Sequence, residues 1–460
     1  MEEVEDSSRR GTTFDRDWTK GSIMGNLLSL SWPMVITNTL MMLGPTIDMV
    51  WVGKLGSASI AGVGVSGMAV QLVTGAMMGL AVGMRAIVAR LIGAGDTGGA
   101  NHVARQGFTI SAIFSVVMAT IGIFLAEPIL ILFGLEADVV SEGAAYMRIL
   151  FVGSIAMSFR MMAEGIMQAS GDALSPMKIT IGYRLLHIAL CPFLVFGWWI
   201  FPHLGVSGAA LTNVVSQSIG TAVGLWFLLS GRTRMRLTMV NFRFDPGIIW
   251  RIVKIGFPAL ISGIQRTSSQ FLLMYLIVPF GTMAVAAHTI NQRVEMVIMM
   301  PAMAFGMAGG VLAGQNLGAG QPERAEKSGW LAMILVEGMA LISSVVILVA
   351  AENIVRIFNA EPAVVEIASN FLRIAVVGYV MLGFMAVSMQ VLSGTGDTMP
   401  PMLASLLTVW LITLPLAYFL PRITTLGVYG VRWAMVAGMV VPAVFLTIYF
   451  KLGRWKQKKV

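Results

Sequence analysis

Long apolar stretches alternate along this chain with short polar breaks. The apolar runs fall at about 24–52, 58–90, 103–126, 141–169, 174–201, 206–230, 248–276, 283–316, 327–351, 364–393, 399–420 and 427–450. A helix rises about 1.5 Å per residue, so roughly 20 apolar residues cross the hydrocarbon of a bilayer. Each run therefore predicts one transmembrane helix, twelve in all, with room for a break inside the longer ones. Strong breakers separate them: Gly95-Asp96, Gly171-Asp172, Phe201-Pro202, Gly396-Asp397 and Pro421-Arg422.

The pattern also repeats. Trp32-Pro33 recurs as Phe257-Pro258, and Ile92-Gly93-Ala94-Gly95 as Leu317-Gly318-Ala319-Gly320. Tyr146-Met147-Arg148-Ile149 with Gly153 recurs as Phe371-Leu372-Arg373-Ile374 with Gly378, and Gly171-Asp172 with Pro176-Met177 as Gly396-Asp397 with Pro401-Met402. Every pair is 225 residues apart, as Pro33 is from Pro258. Each half holds an even number of spans, so the copies share one orientation. They are related by a pseudo-twofold axis along the membrane normal, with a cavity between the lobes. The expected division is a tail at 1–22, an N-lobe at 23–230, a linker at 231–246, a C-lobe at 247–451 and a basic tail at 452–460. The polar start, with no apolar core behind it, does not read as a cleaved signal.

Charge sets the topology. Arg9, Arg10, Arg16 and Lys20 lie before the first run, and Arg232, Arg234, Arg236, Arg243, Arg251 and Lys254 lie around the mid-chain linker. Lys451, Arg454, Lys456, Lys458 and Lys459 close the chain, and Arg105, Arg324 and Lys327 flank two further breaks. All fall on one side if twelve helices alternate. The other side carries Glu127, Glu136, Asp138 and Glu142 after the third run, and Glu352, Arg356, Glu361 and Glu366 after the ninth. The positive-inside rule then puts both termini in the cytoplasm, for a multi-pass protein of the plasma membrane. The formal charge of +8 is thereby accounted for by topology and anionic-lipid contact, with no nucleic acid as partner.

Composition agrees. Hydrophobic residues make up 57% of 460 positions, charged residues 12%, and mean hydropathy is +0.81. A soluble domain carries about twice that charge. The single cysteine, Cys191, excludes an internal disulfide framework. GLAVGM and GQNLGAG lack the context of a phosphate-binding loop. No enzyme signature, cofactor or metal cluster is expected.

The chain resembles the MATE (multidrug and toxic compound extrusion) transporters, which belong to the MOP flippase superfamily. The resemblance rests on LSWPMVITNTL at 30–40, PTIDMVWVGKLG at 45–56, IGAGD at 92–96, GDALSPMKI at 171–179 and LGVSGAAL at 204–211. It continues with PAMAFG at 301–306, GQNLGAGQPERA at 314–325 and GTGDTMPPM at 394–402. It implies cation-coupled export of amphiphilic, often cationic compounds by rocker-switch alternating access. With no matching acid on the seventh and tenth helices, the chain looks most like the DinF-like branch.

Ionisable residues inside hydrocarbon are costly and default to a functional reading. Asp48 sits where the family carries its coupling aspartate; the plainer alternative is a helix-end carboxylate near Lys54. Arg160, Glu164 and Gln168 share one face of the fourth helix, as a cavity-lining group or a self-neutralising pair. On the fifth helix the archaeal-type family pattern has an asparagine and an aspartate before a proline. Here those positions are His187 and Cys191, before Pro192, with Arg184 one turn earlier. A thiol does not replace an oxygen ligand for Na⁺, whereas a histidine relays protons. Asp48, Glu164 and His187 thus form the expected coupling set, with H⁺ favoured over Na⁺. Arg160, Arg184, Asn213, Gln217, Arg266 and Arg293 are the candidate cavity residues, although a bridging role suits Arg293 equally. Glu337 has no partner apparent from sequence. The resulting expectation is a monomeric antiporter of amphiphilic small molecules in a lipid environment. The alternatives are a flippase for lipid-linked or anionic amphiphiles, suggested by Arg160 and Arg184, and a channel or receptor, disfavoured by the repeat.

Overall fold

A computed structural model describes residues 16–132, 136–238, 240 and 242–458, without the side chains of 57 and 58. Arg9, Arg10 and Lys459 lie outside them. Among the described residues every regular element is helical. The helices are α1 (Ile23–Val52), α2 (Ser57–Gly93), α3 (Thr97–Leu132), α4 (Ala137–Val152), α5 (Ser154–Ala169), α6 (Leu174–Phe196) and α7 (Gly205–Ser230). After the linker come α8 (Pro246–Ile277), α9 (Thr282–Gly318), α10 (Pro322–Arg356), α11 (Pro362–Tyr379), α12 (Leu382–Gly394), α13 (Met399–Thr408), α14 (Leu414–Ile423) and α15 (Val428–Leu452).

Ten helices are long and apolar enough to cross a membrane, and eleven if α4 and α5, bent by 46° at Gly153, count as one span. The 26-residue α7 supplies the twelfth. The short α12 continues α11, and a π-helical turn at Val409–Thr413 joins α13 to α14. The protein is a twelve-span, two-lobed helical membrane protein. The break expected within a long run falls at Gly153 and again near its repeat mate, between Tyr379 and Leu382.

The repeat extends to backbone conformation. Gly95 and Gly320 have φ of 76° and 71°, and Gly171 and Gly396 have 90° and 89°. These left-handed turns suit glycine, which has no Cβ to clash. One ion pair repeats as well: Glu127–Arg148 (2.8 Å) and its 225-residue mate Glu352–Arg373 (3.2 Å).

The lobes meet on the face that carries both termini. A Cβ on Gly93 would lie 1.9 Å from the Gln315 carbonyl oxygen, and one on Gly318 would lie 1.9 Å from that of Arg90. Only a glycine fits such an approach. Gly79 and Gly256 are likewise in backbone contact, whereas Gly75 and Gly263, one to two turns farther along, meet nothing within 4 Å. The lobes are therefore sealed on the terminal face and apart beyond it. The ends of the chain cross the same seal. Arg324 Nη2 donates to the Gly21 carbonyl at 2.8 Å, and Arg90 donates to the carbonyl of Lys458. The linker is pinned along α3, where Gln106 donates to the Arg243 carbonyl (2.7 Å) and Arg105 to that of Val240 (2.9 Å).

Candidate functional site

Three helices bring their polar faces together inside the N-lobe. Arg184, His187 and Cys191 follow one another at i, i+3 and i+7 on α6, and Asn213 and Gln217 at i, i+4 on α7. α1 lays Asp48 between them, 1% exposed. His187 Nε2 is 3.0 Å from Asp48 Oδ1, while Asp48 Oδ2 accepts from the Tyr146 hydroxyl (3.3 Å) and Asn213 Nδ2 (3.4 Å). Lys54 lies 4.6 Å over the Trp51 ring, so it does not serve as partner to Asp48.

The far side of the imidazole fixes its tautomer. Arg184 Nη1 is 3.0 Å from His187 Nδ1. A guanidinium only donates, so Nδ1 must offer its lone pair and the ring hydrogen sits on Nε2, facing the carboxylate. Arg184 also holds α1, donating to the Met41 carbonyl at 3.4 Å and filling the space beside Gly44.

The network runs on without a gap. Gln217 Nε2 donates to Asn213 Oδ1, Arg160 Nε to Gln217 Oε1 (3.3 Å), and Arg160 Nη1 to Glu164 Oε1 (2.7 Å). Thr180 donates to the same Glu164 oxygen at 3.4 Å. The Tyr183 ring lies between the two arginines, 4.9 Å from the Arg160 guanidinium carbon and 5.2 Å from that of Arg184. All of Asp48, Glu164, His187, Arg160, Arg184, Asn213 and Gln217 thus belong to one buried chain of contacts. Arg160 pairs with Glu164 inside the lobe.

The sequence reading missed Tyr146, Tyr183 and Arg85. Tyr146 carried a signal: its mate 225 residues on is Phe371, so only the N-lobe copy has the hydroxyl. Arg85 is a lone arginine in an apolar run and donates to Gln168 Oε1 at 3.3 Å.

The dispersed histidines and cysteine predicted no metal cluster, yet the fold gathers Asp48, His187 and Cys191 so that one ligand atom of each lies within 4.8 Å of the others. The donor set does not suit a cation. A metal on Nε2 of neutral imidazole needs the ring hydrogen on Nδ1, where Arg184 already donates. The adjacent guanidinium charge opposes it further.

The C-lobe holds no comparable chain among the described residues. Gln265 bonds Ser405 (2.6 Å), Asn291 the Ala368 carbonyl (3.1 Å), and Glu295 lies 3.5 Å from the buried Arg432. Glu337 accepts from the Gly383 amide at 3.0 Å and so ties α10 to α12. Arg266 and Arg293 are exposed and stand apart from the N-lobe network.

A duplicated six-span bundle with a buried carboxylate–imidazole pair in one lobe defines a multi-pass membrane transporter. The MatE family model matches residues 33–193 and again 258–419, and the chain belongs to that family. It is similar to the multidrug resistance protein NorM of Burkholderia vietnamiensis (30% identity, covering 92% of each chain). A probable multidrug resistance protein NorM of Thermotoga maritima is 26% identical over 95% of this chain and 94% of its own. Among solved structures, a MATE protein in a bent conformation superposes with a TM-score of 0.89 at 24% identity, covering 95% of this chain and 96% of that one. A MATE transporter described as outward-facing gives 0.88 at 23%, covering 95% and 96%.

Proposed function

We propose that the protein is a secondary-active antiporter that exports amphiphilic small molecules in exchange for protons by alternating access. It works as a monomer in the plasma membrane with both termini cytoplasmic, so the sealed face described above is the inner one. The observation that carries this reading is the contact of His187 with Asp48 on one ring nitrogen and with Arg184 on the other. The multidrug resistance proteins to which the chain is similar support the export of drug-like compounds. The lack of an acid on α8 supports the DinF-like branch.

Proton coupling follows from the donors and acceptors. A proton arriving at Nδ1 of His187 would face the N–H of Arg184, donor against donor, so Arg184 must move. Arg184 is also what ties α6 to α1 through the Met41 carbonyl. Protonation therefore loosens α1, the helix that packs against α9 of the other lobe. Na⁺ finds a nitrogen, a sulfur and one carboxylate already engaged, a poor set for a hard cation.

In proteoliposomes with an imposed pH gradient, Asp48→Asn is expected to abolish dye movement driven by the gradient. Transport that follows a Na⁺ gradient alone, or survives in Asp48→Asn, would sink the assignment.

A further inference from the structure

Three arginines outside the N-lobe network line the space between the lobes. Arg85 on α2 stands at its floor, where Arg85 and Ala89 face Met307, Val311, Gln390 and Gly394 of the C-lobe across a crevice. On α8, Trp250, Phe257, Ile264 and Phe271 recur every seven residues and are exposed, which marks the lipid-facing side. Arg266 is about 200° round from Ile264 at roughly 100° per residue. It also lies about four turns beyond Ile252, whose backbone meets Gly83 of the N-lobe. Its side chain is exposed although protein surrounds it on nearly every side, as befits a residue recessed in a cleft. Arg293 lies two turns beyond Met300, on the same face of α9, and the Met300 sulfur accepts from Thr39 of the N-lobe at 3.7 Å. It therefore points across the gap just where the lobes part.

None of the three has a carboxylate within ion-pairing distance among the described residues. The acids nearest in sequence are engaged elsewhere: Glu295 points to Arg432, Glu164 to Arg160, and Asp48 to His187. A basic cleft with low-dielectric walls concentrates anions and repels cations. Met41, Met42, Met300 and Met307 border the same space and supply adaptable apolar surface.

We infer that the cargo of this cleft is an anionic amphiphile, with a carboxylate, sulfonate or phosphate head held by Arg85, Arg266 and Arg293 and an apolar body on the methionines. This inference rests on the transport reading above and reverses the cationic cargo that the family resemblance implies. The head can belong to a soluble organic anion or to an anionic lipid.

Equilibrium binding of radiolabelled taurocholate and of tetraphenylphosphonium to the purified full chain tests it without requiring transport. Wild-type protein should hold taurocholate and not the phosphonium. Arg266→Gln with Arg293→Gln should weaken taurocholate at least about tenfold, the effect of losing roughly 1.4 kcal/mol, and the two Arg→Lys changes should restore most of it. Dithionite protection of a fluorescent phosphatidylglycerol in proteoliposomes separates the sources: faster crossing that depends on Arg266 and Arg293 identifies the lipid as the anion. Preferential binding of the phosphonium, no binding of either probe with no lipid crossing, or taurocholate binding indifferent to both arginines would overturn the inference. The dye-transport result in Asp48→Asn stands apart, because it reads coupling and not the charge of the cargo.

Discussion

The two lobes share a backbone plan and differ in what they bury. Shifted by 225 residues, Asp48 becomes Leu273, Tyr146 becomes Phe371, Arg160 becomes Met385, Glu164 becomes Met389 and His187 becomes Ile412. Asn213 becomes Gly438, where a Cβ would come within 2.6 Å of Thr413 Oγ1, so the C-lobe closes up the room that the N-lobe fills with an amide. The π-helical turn at Val409–Thr413 falls at the positions that match Arg184–Ile188. One lobe is thus packed apolar and the other polar on the same frame. The frame sets the six spans and the seal; the choice of core residues sets the chemistry.

The largest effect expected from testing this contrast is at the imidazole. His187→Gln keeps an N–H for Asp48 but takes no proton. Gradient-driven transport should fall about a hundredfold, the scale of a positioned proton-transfer group, and its pH profile should flatten. Ile412→Met, at the matching place in the C-lobe, should leave both unchanged. A retained pH profile in His187→Gln would make the pair structural.

A middle-sized effect is expected at the seal, where the lobes should behave alike. Gly93→Ala and Gly318→Ala each push a Cβ into a carbonyl, an overpacking that costs about 1–3 kcal/mol. Both should shift the population away from the sealed state, read as a longer distance between spin labels at Thr97 and Glu323. Unequal shifts would break the symmetry of the seal.

The smallest effect concerns the repeated ion pair. Glu127 and Glu352 are each about half exposed (52% and 51%), so solvent screens them. Glu127→Gln and Glu352→Gln should each cost less than about 1 kcal/mol in thermal unfolding. A large loss in one lobe alone would show that the two copies carry unequal loads.

Much of the frame was legible before any coordinates. The 225-residue spacing survives because turns need particular residues: Gly95, Gly171, Gly320 and Gly396 hold φ values that other residues resist. The family model begins its two matches at residues 33 and 258, the same spacing. Asp48 and His187 stood out as polar groups in apolar runs. Tyr146 and Tyr183 did not, since a tyrosine in a membrane helix reads as ordinary packing until a carboxylate or a guanidinium is set beside it. The pairing of Arg184 with the imidazole was suggested by its i,i+3 spacing, but its grip on the Met41 carbonyl depends on how α1 packs against α6. Arg85 escaped notice because its meaning comes from the other lobe, across a crevice no single run of sequence reveals.

The seal itself carries a historical reading. Gly93 meets Gln315 and Arg90 meets Gly318, and adding 225 to 90 and 93 gives 315 and 318. Position 90 of each half touches position 93 of the other, the reciprocal contact of an isologous twofold interface. A six-helix chain of half this length would make the same contact with a second copy of itself. The present molecule is such a homodimer fused into one polypeptide, and fusion is what freed one half to lose the acids that an unfused pair would have carried twice.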